Sequence, residues 1–439
     1  MIMYDYRMIS RLYHAAGSAF FLFYPDQLTQ NASRLHDAFA RRYEQVAIAY
    51  SYKTNYLPYL CTEMDRWGAY AEVVSRLEYQ LAETIGVEPQ RIIFNGPLKD
   101  LDDICLALDN KSMLHLDSFY EIDHVKHYRE IRPDQPIRVG LRVNFDLSKN
   151  GHSPLQNGYQ RSRFGFCVEN GSLREAISRL RQIPNLTING LHAHFSTNRS
   201  LEVYERITSH LCQLGRTWLG QELEYIDVGG GFYGPLPDSF GVDDPPSFDD
   251  YARVICDTVS RQLTSYGLTP LLILEPGVSL VADTFHFICQ VIDLKQIGDQ
   301  TFVLVDGSVH NVKPTMHKKP LPVQVIRQNN NDNRQSEQLF HVVGYTCMEK
   351  DYLSENCLAP LPQPGDFLQF GHVGAYTIVF QPPFIRERPP IVAASDGGYL
   401  LVRKKERFDQ FFPDQLREYH HELLLRDVRR GVDDEYSAL

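Results

Sequence analysis

The chain has 439 residues, 43% of them hydrophobic and 23% charged, and its 55 acidic side chains outnumber 44 basic ones for a formal net charge of -11. That is the composition of a folded protein with, at roughly 100–200 residues per domain, two or three domains. The acidic balance excludes a binder that tracks nucleic-acid phosphates, and no apolar run approaches the ~20 residues needed to span a bilayer. The start, MIMYDYRMIS, has no basic stretch leading into an apolar one, so no secretory signal is expected. The eight cysteines form no Cys-x-x-Cys pair, which argues against a disulfide framework and against a metal site. A reducing cytoplasm is the expected compartment.

In chain order, Phe20–Tyr24 is a strand candidate ahead of the first long helix. Eight short apolar runs follow: Val46–Tyr52, Ala69–Val73, Arg91–Phe94, Met113–Leu116, Ile137–Val143, Thr187–Phe195, Leu223–Val228 and Leu271–Leu274. Their low charge suits parallel strands covered on both faces. Helical patterns lie between them. Ser75 to Ile85 is one, with Gly86 placed to stop it, and another begins at Ser172, where Ser172 and Glu175 have capping-box spacing. Eight strand–helix units over 26–281 predict an α/β fold, a (β/α)8 TIM barrel; a doubly wound open sheet is the runner-up. After Val281 the texture changes to runs such as Phe302–Val305, Phe340–Val343, Phe367–Phe370 and Tyr376–Phe380, separated by Gly, Pro and Asn turns. These predict an antiparallel β domain built from 1–25 and 282–439, with an exposed Asn-rich loop over Arg327–Gln338 and a charged helical extension from about Lys404 to Arg430.

In such a barrel the reacting groups come from the C-terminal ends of strands. Those ends carry Lys53, then Glu72 and Ser75, then His192 and His194, then Gly229-Gly230-Gly231, then Glu275-Pro276-Gly277. A lysine buried at a strand end loses solvation, which favours a neutral amine able to form a Schiff base. A glycine triplet lets backbone N–H groups approach a phosphate. A carboxylate can hold a protonated ring nitrogen, and an imidazole can stack on an aromatic ring. Together these suit pyridoxal 5'-phosphate, with its aldehyde, phosphate and electron-withdrawing ring. Singly, each feature has a plainer reading: a surface lysine, a tight turn, a packing histidine. His192 and His194, two apart on a strand, should face the same side, with one meeting the cofactor and the other a satisfied packing residue.

From about Phe20 to Phe380 these landmarks resemble, in order, those of the fold-type III pyridoxal-phosphate decarboxylases, the diaminopimelate, ornithine and arginine decarboxylase group. AYSYKTN resembles the Schiff-base motif and implies Lys53; GLHAHFST implies a ring-stacking His194 and a phosphate contact at Thr197. DVGGGF implies a phosphate loop at Gly229, Gly230 and Gly231, and LEPG implies Glu275 on the pyridine nitrogen beside Gly277. GYTCMEKDYL implies Cys347 as the acid that protonates the substrate carbon, and GAY implies a phosphate contact from Tyr376. The resemblance further implies a head-to-tail homodimer with shared active sites, where Arg163 of SRFG pairs with Asp351 across the interface.

The chain departs from the family at positions that touch substrate. Val278 stands where an arginine usually follows the glycine, Lys313-Pro314-Thr315-Met316-His317 replaces an arginine-proline element, and Met348 replaces an acidic residue, leaving Glu349 or Asp351 as substitutes. Bidentate clamping of a distal amino-acid head group needs such residues. The pattern therefore predicts a specialised branch, which decarboxylates an amino-acid unit within a conjugate in siderophore, aminoglycoside or peptide-nucleotide antibiotic pathways. A diaminopimelate or basic amino acid decarboxylase of primary metabolism is the alternative. A racemase or aldolase using the same cofactor, and a cofactor-poor regulatory homologue of a decarboxylase, are the competing readings.

Overall fold

A computed structural model describes residues 5–328 and 336–412. Its strands are β1 Phe20–Phe23, β2 Val46–Ser51, β3 Tyr70–Val73, β4 Ile92–Phe94, β5 Met113–Leu116, β6 Ile137–Asn144, β7 Phe166–Cys167, β8 Leu186–His192, β9 Tyr225–Asp227 and β10 Leu271–Leu274, followed by β11 Phe285–Ile297, β12 Gln300–Val305, β13 Val323–Ile326, β14 Glu337–Val343, β15 Tyr352–Pro360, β16 Phe367–Phe370, β17 Ile391–Ser395 and β18 Gly398–Arg403.

The first sheet runs β5-β4-β3-β2-β10-β9-β8-β6, and β5 pairs with β6, so eight parallel strands close into a ring. The closed barrel, not the open doubly wound sheet, is the architecture. Its strands are short and almost wholly buried because helices cover their outer face while side chains fill the lumen. Local signals set the helix ends. Ser75 caps Arg76–Ile85 by accepting from the Glu78 N–H, and Gly86 ends it in the left-handed conformation at φ 89°. The box expected at Ser172 does not form: Gly171 is the N-cap, and the Ser172 hydroxyl bonds the backbone of Cys167 instead.

The lumen explains two glycines. A Cβ on Gly190 would overlap the Tyr225 ring, and one on Gly140 would meet Tyr225 and His115. Tyr225 thus plugs the barrel with Ala47, Ala49, Ile93 and Ile273, and forms the floor on which the site stands.

The second sheet has nine strands along the path β15-β14-β12-β11-β1-β17-β18, with β16 and β13 branching from β11. It is mixed, not purely antiparallel as expected: β1 pairs with β17, and β12 with β14, in parallel. The strand at Phe20–Phe23 belongs here, hydrogen-bonded to β11 and β17. Its two faces are both buried. Phe21 and Phe23 join the main core, while Phe20 and Leu22 pack under an N-terminal helix, Tyr6–Ala16, that the sequence reading overlooked. That helix had a signal: Asp5 caps it, Gly17 ends it, and Tyr6, Ile9, Leu12, Tyr13 and Ala16 line one face. Tyr376–Phe380 is a turn segment, not a strand, and Glu337 and Gln338 already belong to β14. Of the charged helical extension expected from about Lys404, residues 404–407 are not helical and Phe408–Phe411 forms a single turn; the rest lies outside the described residues.

Candidate active site

Above Tyr225, the strand ends carry a buried polar layer. His115 on β5 stacks on His192 at the end of β8, with centroids 4.9 Å apart and planes 9° from parallel. His192 Nε2 lies 3.5 Å from Oε2 of Glu275, just past β10, and the Asn95 amide donates to Oε1 of the same carboxylate. Asp227, at the end of β9, accepts from the Gly229 N–H at 2.9 Å. Burial opposes the charge on Glu275, yet His192 and then Lys53 overcome it and hold the carboxylate well below the usual range. Burial and the neighbouring Glu275 push Asp227 well above that range. Of the two carboxylates, Glu275 is the one whose surroundings favour the anion. His192 is not the satisfied packing residue expected: neither ring nitrogen finds a hydrogen bond, and its Nε2 faces Glu275.

Lys53 sits in the tight turn that follows β2. Its Nζ is 2.6 and 2.5 Å from the two oxygens of Glu72 at the end of β3, and the Ser51 hydroxyl donates to that carboxylate too. Burial alone would depress this amine, but Glu72 and Glu275 outweigh it, so its pKa lies above the ordinary lysine value. The neutral amine expected from burial is thus corrected: the free protein holds an ammonium, with a carboxylate in contact to accept its proton. His194 lies beyond the end of β8. Its Nδ1 accepts from the Gly230 N–H at 3.1 Å, and burial pushes it down to about 3, so it is a neutral imidazole protonated on Nε2.

The glycine triplet divides its labour. The N–H groups of Gly229 and Gly230 are already taken by Asp227 and His194, and a Cβ on either would strike His194 or the Glu275 carbonyl. Of the three, only Gly231 lines a cavity, at φ 95°. That cavity, about 180 Å³, is bounded by Lys53, His194 and Glu275 and, elsewhere on its wall, by Thr197, Gly277 and Tyr376. Gly277 is required because a Cβ there would overlap the Thr54 hydroxyl. Tyr376 adopts φ 58°, and its N–H donates to the Thr54 carbonyl at 2.9 Å, which docks this turn of the second sheet's chain against the barrel rim. An amine for an aldehyde, an ionised carboxylate for a protonated ring nitrogen, and hydroxyl and N–H donors for a phosphate all converge here. The donor set fits pyridoxal phosphate.

A larger cavity of about 510 Å³ shares Lys53, His194 and Glu275 and extends under the 155–164 loop. Arg142, Arg161 and Arg163 line it. Arg142 is buried, 3.6 Å from Asp117 and 3.3 Å from the His194 carbonyl, and the guanidinium groups of Arg142 and Arg163 lie 4.4 and 4.1 Å from the Phe164 ring. Sequence reasoning gave Glu72, Asn95, Arg142, Asp227 and His192 no cofactor or substrate role; each lies in the last three residues of a barrel strand or directly follows one. Lys313, His317, Cys347, Met348, Glu349 and Asp351 line neither cavity of their own chain. Asp351 is buried and accepts from Val309 N at 2.6 Å and Thr346 N at 2.8 Å, so it braces the loop bearing the exposed Cys347. Among the described residues no helix is long and apolar enough to cross a membrane.

A parallel barrel with a lysine, an ionised glutamate and a neutral imidazole around one cavity defines an enzyme built for an aldehyde cofactor. Residues 27–282 match the family model described as pyridoxal-dependent decarboxylase, pyridoxal binding domain, and the chain belongs to that family: it is a pyridoxal-phosphate-dependent amino acid carboxy-lyase. It is 29% identical to the diaminopimelate decarboxylase of Actinosynnema pretiosum over 80% of this chain and 79% of that one. It is 26% identical to the probable chloroplastic diaminopimelate decarboxylase of rice, over 91% and 81%. In fold it is similar to the crystal structure of the Methanocaldococcus jannaschii diaminopimelate decarboxylase, at TM-score 0.83 and 23% identity over 93% and 94% of the two chains.

Proposed function

We propose that the chain decarboxylates an amino acid whose far end carries a carboxylate, with diaminopimelate as the leading candidate. The observation that carries this is the arginine-lined outer cavity. Arg161 and Arg163 supply cations from the 155–164 loop, where Val278 leaves one missing at the place the resemblance expects an arginine. The names of the relatives support this primary-metabolism reading above the specialised branch. The size of the outer cavity, about 510 Å³, favours a conjugated amino acid as the second reading.

Pyridoxal phosphate, when bound, supplies the electron sink for the carboxylate's bonding pair. The chain's own groups prepare for it. Glu72 takes the proton that Lys53 must lose before its amine can act as a nucleophile. Glu275, kept ionised by His192 and steadied by Asn95, would hold the ring nitrogen's proton. Neutral His194 offers its face to the ring, its tautomer fixed by the Gly230 N–H. Tyr376, Thr197 and Gly231 would hold the phosphate. Cys347, exposed on a loop braced by Asp351, acts in the cavity of a second copy and returns a proton to the substrate carbon, so a homodimer is the working unit. Labelled CO2 release from a panel of diaminopimelate, lysine, ornithine, arginine and conjugated amino acids tests the reading. Turnover of diaminopimelate above the basic amino acids supports it; release only from conjugates replaces it with the second reading.

A further inference from the structure

We propose that Arg199 is the guanidinium that holds the cofactor's phosphate in this chain. The proposal rests on the phosphate lying in the smaller cavity. Of the charged residues lining that cavity, Lys53 is committed to Glu72 and Glu275 is an anion, which leaves Arg199 as its uncommitted cation. Among the described residues Arg199 makes no ion pair and its side chain makes no hydrogen bond. Its partner is the face of Tyr233, 5.2 Å from the guanidinium carbon. A guanidinium placed beside hydroxyls without a carboxylate is a group that still has donors to offer an anion.

The backbone supports the same conclusion. Arg199 adopts φ 62°, a left-handed conformation unfavourable for a side chain of this kind. It is held there from both sides: its N–H donates to Thr197 Oγ1 at 3.2 Å, and its carbonyl accepts from the Tyr251 hydroxyl at 2.7 Å. Strain that the surroundings enforce is characteristic of residues placed for a task. Val278, where the resemblance expects an arginine, lines the same cavity. The positive charge absent from that position is restored from the loop after β8.

The test compares binding of pyridoxal 5'-phosphate with unphosphorylated pyridoxal to the full-length apoenzyme, read as dissociation constants from quenching of intrinsic fluorescence. The wild-type protein binds the phosphorylated form more tightly. In Arg199→Gln that preference falls roughly 10- to 100-fold, the loss expected for a charge-assisted contact, while pyridoxal binds as before, which also reports an intact fold. Adding Val278→Arg to Arg199→Gln restores the preference. An unchanged preference in Arg199→Gln overturns the proposal. A wild-type protein with no preference for the phosphorylated form overturns instead the placement of the phosphate in this cavity.

Discussion

The two cavities that meet at Lys53 are built by different means. The inner one is made of strand ends, buried carboxylates and glycines that cannot accept a Cβ, so its geometry is fixed before any ligand arrives. The outer one is walled in part by long, exposed arginines on a loop without regular structure over most of its length. The comparison teaches that the barrel invests its rigidity in the cofactor end and leaves substrate choice to side chains that can change without disturbing it.

The largest effect expected from breaking the inner half is at Glu275. Glu275→Gln removes the charge that His192 and Lys53 hold in place, and turnover should fall at least about a hundredfold while cofactor remains bound, as steady-state kinetics beside the bound-cofactor absorbance will show. In the outer half, Arg161→Ala with Arg163→Ala should raise KM about tenfold with little change in kcat, because the contacts are made equally in ground and transition states. A fall in kcat alone would place these arginines in the chemistry instead.

Between the two stands Lys53, whose pKa is raised mainly because Glu72 and Glu275 overcome burial. Such an amine stays protonated until the pH rises through its elevated value, so capture of the cofactor's aldehyde by the apoenzyme should slow as pH falls. In Glu72→Gln burial dominates, the amine deprotonates more readily, and the rate-against-pH profile of cofactor uptake should move to lower pH. A move to higher pH would contradict the electrostatic account. The smallest effect lies in the loop that bears Cys347. Asp351→Asn keeps one acceptor but turns an NH2 donor toward the other backbone N–H at a buried site, and should cost about 1–3 kcal/mol of stability, read from the urea midpoint.

This contrast also explains what the sequence disclosed. Lys53, His194, Glu275 and the glycines were legible because short parallel strands are unmistakable when both faces are apolar, and their ends deliver chemistry in chain order. Glu72 and Asn95 were passed over because their roles exist only across neighbouring strands: Glu72 meets Lys53 19 residues away, and Asn95 meets Glu275 180 residues away. Gly229 and Gly230 were assigned to phosphate because a triplet shows that backbone can come close, not which partner has already taken its N–H groups. Tyr376–Phe380 was misread as a strand because apolar alternation cannot reveal that Tyr376 is turned to positive φ by a bond to Thr54. Arg199 lies two residues beyond GLHAHFST and still went unnoticed, since nothing in a sequence says that an arginine lacks a carboxylate.

The most direct measurement is chemical. Borohydride reduction of the cofactor-loaded protein, followed by peptide mass analysis, should find the phosphopyridoxyl group on the peptide containing Lys53 and on no other. The same mass on Lys313 or any other lysine, with Lys53 unmodified, would contradict the account at its centre.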